Sequence, residues 1–477
     1  MKSQPYLNYK PLTVIVIAFF LLVSTFGEAM CQSRDSIIVA EIKRQLKVNE
    51  LNLYYPKTVT RLYQQKKFKP IWIIPQGGEG DAWQAMLLID CVKQFGLSHT
   101  DYHPKELLYD QLHDILDTTN KVSITKQARF EILLTDAIIT FINHLHYGKL
   151  NPYFTMTQID AGNVNGFNPE AALIKALVQK DFVTAIEAVQ PKSKEYQDMQ
   201  YHMRKLTGLL QGDCYEIPEA DIRQMAVNME RLRWANIQGN NYIHINIPSY
   251  NLMFHQPDTT YQFNVIVGKP GNPTPTLSSQ IQYFTTAPEW NVPANIFRKE
   301  LLPKAIRNPD YLENNKFSIY NKKGEYITPT IANLKKISQN PSGYYARQSS
   351  GCDNALGQVI FRFTNPFNIY LHDTPQQELF KRQDRAFSHG CIRVEQALKL
   401  ADLILTKDGS GSKIKAMHQA AAAYKKQSFT LKKNLPIKIT YLTCIVDEGV
   451  LTKFKDVYDL DKSLEMALYG TDIPVKK

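Results

Sequence analysis

The chain has 477 residues, with 56 Lys and Arg against 45 Asp and Glu for a formal charge of +11, 44% hydrophobic residues and six cysteines. This is the balance of an ordinary globular chain of roughly two to four domains, and it excludes a disulfide-stapled miniprotein, a collagen and a mostly disordered chain. The basic excess, with a pI near 9.1, admits nucleic acid, membrane surface or anionic wall polymer as partners without choosing among them.

The N-terminus narrows that choice. Lys2 and Lys10 precede an apolar stretch, Leu12 to Phe26, followed by Gly27-Glu28-Ala29-Met30-Cys31-Gln32. The pattern reads as a secretory signal over 1–31, since the apolar run is short of the roughly 20 residues a spanning helix needs. Cleavage before Gln32 is the favoured reading; an uncleaved anchor and a lipidated Cys31 are the alternatives. An exported chain is extracytoplasmic, which removes nucleic acid as a partner. Five cysteines then remain, Cys91, Cys214, Cys352, Cys391 and Cys444, and an odd number in an oxidising compartment leaves at least one thiol unpaired. With no Cys-x-x-Cys pair among them, neither a metal nor a cofactor is expected.

Residues 33–195 read as a helical domain. Its clearest segment, Lys126 to Tyr147, carries Phe130, Leu133, Leu134, Ala137, Ile138, Phe141, Ile142 and Leu145 at helical steps and stops at Gly148. His144 and His146 on it are read as packed core residues. Residues 196–237 are a helical linker, with Pro218 to Trp234 amphipathic. From about 238 the period changes to two: Tyr242 to Ile247, Tyr250 to Phe254 and Tyr261 to Val267 read as strands, and 268–273 as a loop. Charged helical sequence, Phe297 to Arg307, and an irregular polar stretch to about Tyr344 read as an insertion over 295–345, a candidate lid. Gln358 to Phe363 and Asn368 to Leu371 resume the strands, and Ile437 to Val446 closes them, leaving 451–477 as a tail. From Gly409 to Val446 there are seven lysines and no acidic residue, a solvated face or a contact for an anionic polymer.

The chemistry sits in Tyr370-Leu371-His372-Asp373-Thr374-Pro375 and in Ser388-His389-Gly390-Cys391-Ile392-Arg393-Val394. Cys391 falls in a turn ahead of helical sequence, Glu395 to Leu405, so a helix N-terminus is expected to lower its thiol pKa. Cysteine catalysis needs that thiolate, a base and oxyanion donors. His372 and His389 are both candidate bases, and N–H groups around Gly390 to Ile392 are candidate donors.

Ser388-His389-Gly390-Cys391 with a His nineteen positions upstream resembles the signature of the L,D-transpeptidase catalytic domain. Trp290-Asn291-Val292-Pro293, Arg298-Lys299-Glu300, Asn354-Ala355-Leu356-Gly357 and Tyr441-Leu442-Thr443 extend the resemblance to the large periplasmic members of Gram-negative bacteria. The resemblance implies an α+β multidomain chain: a helical scaffold domain, then a mostly-β catalytic domain over 238–450 with a capping subdomain inserted at 295–345. It also implies that Cys391 attacks a peptidoglycan stem peptide, releases D-alanine and passes the acyl group to an amine of another stem, with hydrolysis of the same acyl-enzyme or a non-catalytic wall-binding scaffold as the alternatives, and that His372 is its base, oriented by the Asp373 backbone carbonyl. Ser388, His389, Gly390 and Ile392 would position the substrate or its oxyanion, Arg393 would hold a substrate carboxylate or pin the loop through a salt bridge, and Tyr370 would line the pocket. Partners would be donor and acceptor stem peptides, with association to an anionic wall or membrane surface, and no cofactor. Three departures stand out. No peptidoglycan-binding module is recognisable at 160–217. Arg393 replaces the Asn of smaller members. Cys352 stands where a Pro is expected in relatives, and is read as a buried or fortuitous thiol or, alternatively, as a paired or regulatory one.

Overall fold

The computed structural model describes residues 36–48, 51–73, 79–117, 119–208, 219–235 and 239–470; the signal read at 1–31, with Cys31, and Cys214 lie outside them. The chain divides into two units. One holds the residues up to Pro191, Met199–Trp234 and those from Glu465 on; the other holds Lys192–Asp198 and Ala235–Leu464. No helix among the described residues is long and apolar enough to cross a membrane.

The first unit is helical and is organised on the helix Ile124–Tyr147, which starts at a Ser123 cap and ends at Gly148. Its polar residues are buried with its apolar ones, and its two buried carboxylates are matched by donors from other segments. Glu131 accepts the backbone N–H groups of Trp72 at 3.0 Å and Ile73 at 3.2 Å and the Tyr63 hydroxyl at 2.8 Å. Asp136 accepts those of Tyr54 and Tyr55 and faces His103 at 2.7 Å. His144 pairs with the Tyr102 hydroxyl, and the His146 ring stacks on Phe167 with 3.7 Å between centroids. The carboxylates thus tie irregular segments to the central helix.

The second unit is built on a ring of strands. In chain order the strands of this unit, of which β5 to β8 and β14 with β15 form separate sheets, are β1 (Tyr242–Asn246), β2 (Asn251–Gln256), β3 (Thr259–Gly268), β4 (Leu277–Thr286), β5 (Trp290–Asn291), β6 (Phe317–Asn321), β7 (Tyr326–Ile327), β8 (Tyr344–Gln348), β9 (Val359–Phe363), β10 (Leu371–His372), β11 (Ala386–Ser388), β12 (Ile392–Val394), β13 (Gln427–Thr440), β14 (Cys444–Asp447) and β15 (Val450–Lys453). The order β3-β12-β10-β9-β4-β13-β1-β2 closes because β2 pairs back onto β3, and β11 adds to β3 in parallel. Alternate residues therefore point into one core, including Ile243, Ile245, Val265, Phe361, Leu371 and Ile392, and the intervening residues point outward. The helix Ala397–Lys407 packs Leu400, Ala401 and Ile404 into the same core.

Several elements differ from the sequence reading. β4, at the middle of the sheet, was not anticipated. The stretch read as irregular to Tyr344 contains β6, β7 and the helix Ile331–Gln339, which with β5 and β8 form a four-stranded sheet around its own apolar cluster of Phe297, Leu302, Ile319 and Leu334. The strand read at Asn368–Leu371 is confined to β10, because Asn365 accepts the N–H groups of Phe367 and Ile369 and donates to the carbonyls of Phe363 and Ile369, coiling the chain there. The closing strand begins earlier, at Gln427, and ends at Thr440. The tail carries β15 and the helix Asp461–Tyr469.

Candidate active site

β10 and β12 lie side by side and parallel, with Leu371 opposite Ile392 and His372 opposite Arg393. One position back, Tyr370 stands opposite Cys391, and its carbonyl accepts the Ile392 N–H at 3.1 Å. Leu371 and Ile392 are fully buried in the core. The two-residue period then forces Tyr370, His372, Cys391 and Arg393 onto the other face as a square, with the thiol and the imidazole on its diagonal. β9 extends the array: His372 pairs with Ile360 and Leu371 with Phe361, which brings Arg362 beside Tyr370, its guanidinium 5.4 Å from the ring centroid.

The imidazole is held in one tautomer. His372 Nδ1 lies 2.6 Å from the Asp373 carbonyl oxygen, and a carbonyl only accepts, so Nδ1 carries the hydrogen and Nε2 keeps its lone pair. The Asp373 carboxylate is used elsewhere, accepting the Gln358 N–H at 2.8 Å and the Gln377 amide. A Cβ at Gly357, which has φ +61°, would stand 2.4 Å from that carboxylate, so glycine is required where the turn meets Asp373.

The cysteine turn is clamped from two sides. Ser388 Oγ donates to the Cys391 carbonyl at 2.5 Å and accepts the Gly390 N–H at 3.1 Å. The Gly390 carbonyl accepts the Thr274 hydroxyl at 2.8 Å, and Thr274 in turn accepts the Gly268 N–H. Gly390 has φ +114°, a backbone that glycine adopts without strain. The oxyanion donors expected at Gly390 and Ile392 are therefore already committed, to Ser388 and to Tyr370. Of the three N–H groups in the turn, that of Cys391 is the one with no bond to another described residue.

The electrostatics also depart from expectation. Cys391 is followed by β12, and the next helix begins only at Ala397, so no helix N-terminus acts on the sulfur. Burial pushes the thiol up, against the Tyr370 N–H and hydroxyl, both directed at the sulfur, and against Arg362 and Arg393, all of which favour the thiolate. Burial and then the Arg393 charge push His372 down to about 3. Both shifts disfavour the ion pair, so the resting site at neutral pH is a thiol beside a neutral imidazole.

The other expected residues are placed as follows. His389 is exposed, with Nε2 at 2.6 Å from Glu300 of the inserted segment, away from the thiol's diagonal. Arg393 forms no salt bridge among the described residues and donates to the Gln376 side chain at 2.7 Å. Cys352 is exposed against Asp353, not buried. Six of the seven lysines after Gly409 are exposed; Lys438 is half-buried and donates to the Ala235 carbonyl and the Ser278 hydroxyl. Sequence reasoning missed Arg362, and it named Glu300 only within Arg298-Lys299-Glu300, without its pairing to His389. Arg362 had a signal, a lone charge alternating with Val359, Phe361 and Phe363; the pairing of Glu300 with His389 had none.

Residues 240–415 match the L,D-transpeptidase catalytic domain family, and residues 57–203 match the Scaffold domain family. A Haemophilus influenzae protein named "Putative L,D-transpeptidase" is 33% identical over 261 residues, 54% of this chain and 52% of that protein. The chain thus spans about half the length of the curated relative it matches. A match to the Scaffold domain family thus precedes a match to the L,D-transpeptidase catalytic domain family, within which the thiol and imidazole project from adjacent strands.

Proposed function

We propose that the protein forms 3→3 crosslinks in peptidoglycan. The carrying observation is the β10–β12 diagonal: a thiol beside an imidazole whose only lone pair is on Nε2. Cys391 Sγ attacks the carbonyl carbon between the third and fourth residues of a tetrapeptide stem while His372 Nε2 takes the thiol proton. The same nitrogen returns that proton to the departing amine of D-alanine, leaving a thioester. An amine on a second stem then attacks the thioester carbonyl, gives its proton to His372, and the re-formed thiol ends the cycle. The Cys391 N–H and the Tyr370 hydroxyl are the donors nearest the developing oxyanion, and Arg362 and Arg393 supply positive charge for substrate carboxylates. The 295–345 segment caps this site, with His389 and Glu300 joining it to the cysteine turn.

The working compartment on this reading lies outside the cytoplasm, after removal of residues 1–31; a mature N-terminus at Gln32 supports it and an intact Met1 counters it. Incubation with a disaccharide-tetrapeptide tests the chemistry. Release of D-alanine together with a crosslinked dimer, both abolished by Cys391→Ala, supports transpeptidation. D-alanine without dimer replaces it with hydrolysis, and no release at all refutes both.

A further inference from the structure

The ring of strands carries a second polar cluster far round from the thiol. From β1 to β12 the path crosses β2 and β3 one way and β13, β4, β9 and β10 the other. Ile243 and Ile245 of β1, and Leu252 and Phe254 of β2, point into the core, so His244 and His255 project outward. Tyr242 pairs with His255 and His244 with Met253, which makes the two histidines diagonal neighbours on one face. The segment Lys192–Asp198, part of the same unit, lays Glu195 over them. One oxygen of Glu195 is 3.6 Å from His244 Nδ1 and 3.8 Å from His255 Nε2, and ligand atoms of all three residues lie within 4.8 Å of one another.

Those separations are too long for charge-assisted hydrogen bonds, which run at about 2.7–2.9 Å. They are close to the roughly 3.4 Å edge of a tetrahedron whose metal–ligand bonds are about 2.0–2.2 Å. The second ring nitrogen of His244 is also engaged: Nε2 is 2.8 Å from the Thr440 hydroxyl, and in the tautomer that donates there Nδ1 turns a lone pair to Glu195. His255 is fixed by stacking on Tyr242 at 4.5 Å and by Thr260 on Nδ1. Its Nε2, like the second oxygen of Glu195, is buried with no hydrogen-bond partner. Buried polar atoms left bare are costly, and a cation held between the carboxylate and the two ring nitrogens would satisfy them.

We propose that Glu195, His244 and His255 bind one divalent transition-metal ion of the zinc class, with the fourth position taken by the second Glu195 oxygen or by water. Two histidines and a carboxylate suit zinc, and Thr440 supplies the outer hydrogen bond that orients a ligating histidine. The ion holds the Lys192–Asp198 segment to the β1–β2 hairpin. No short-range metal spacing announces it, because the ligands are separated in the chain and meet only on the outer face of the ring.

The test uses the full chain carrying Cys391→Ala, stripped with a chelator and titrated with Zn2+ against a chromogenic competitor. One equivalent bound with a dissociation constant below about 1 μM, a rise in Tm on loading, and a tetrahedral Co2+ spectrum without thiolate charge-transfer bands are expected. His255→Gln and Glu195→Gln should each weaken binding at least about a hundredfold, and Thr440→Val about tenfold. Should a variant fail to fold, 15N imidazole shifts in the parent chain serve instead: zinc must move His244 Nδ1 and His255 Nε2. The absence of a tight equivalent, equal binding by the variants, or imidazole shifts confined to other histidines overturns the site.

Discussion

Replacing Tyr370 with Phe removes one oxygen and leaves the ring that packs against His372, with 5.6 Å between centroids, and under Arg362. The hydroxyl is directed at the Cys391 sulfur and favours its charged form. A hydrogen bond to a charged acceptor is worth about 1.5–3 kcal/mol; taking the low end, because the thiol is already pushed up by burial, the pKa of Cys391 should rise by about one unit. Alkylation of Cys391 by iodoacetamide, followed across pH, measures this. At neutral pH the variant should react about tenfold more slowly, since the thiolate is the nucleophile. At pH above both midpoints the two proteins should react at the same rate, which shows that access and fold are intact. A midpoint moved by less than about 0.3 unit, or a rate deficit that persists at the high-pH plateau, would refute the assignment of Tyr370 as a thiolate-stabilising group.

Ser388→Ala removes both buried bonds of the cysteine clamp and should lower stability by about 1–3 kcal/mol in urea unfolding, with carbapenem acylation slowed further than that loss predicts; unchanged acylation would show the clamp is dispensable. At Gly268 an added Cβ would lie 2.2 Å from the Asn272 carbonyl oxygen and 2.7 Å from the Thr274 nitrogen. Because those obstacles are backbone, Gly268→Ala should cost more than about 3 kcal/mol and displace Thr274 from the Gly390 carbonyl; a variant with wild-type Tm contradicts this. Acid should destabilise both units. His144 and His372 are buried and neutral, each pushed from 6.5 to about 3, so the unfolded chain binds protons that the folded one refuses. Stability is complete above pH 6.5 and falls as pH drops toward 3, by up to about 5 kcal/mol per histidine; a urea midpoint that stays flat between pH 7 and 4 sinks the argument.

How much of this was legible varies by residue, and the reason is the range over which each property is set. Long one-sided periodicity is local, so the helix at Ile124–Tyr147 and the strands β1 and β3 could be read from spacing. β4 could not: its register against β9 shifts between Ile281 and Tyr283, so its inward residues Leu277, Ile281 and Phe284 break the two-residue period among Ser, Thr and Gln. The helix Ile331–Gln339 buries only Leu334 and Ile337, too little pattern to announce itself between two short strands.

The amino-acid sequence alone supplied the chemical vocabulary of the site: the Ser-His-Gly-Cys turn, the upstream histidine, and the glycine that allows a positive φ beside Cys391. These are local facts of residue type and backbone freedom. Tertiary structure decided which histidine neighbours the sulfur, because the choice between His372 and His389 depends on the parallel pairing of β10 with β12 and on Glu300, 89 positions before His389. It also reversed the sign of the thiol's shift, since desolvation depends on everything packed around a group and not on the residues beside it in the chain. And it alone gathered Glu195, His244 and His255, because only a closed ring of strands with a segment laid across it turns distant positions into one cluster of ligand atoms.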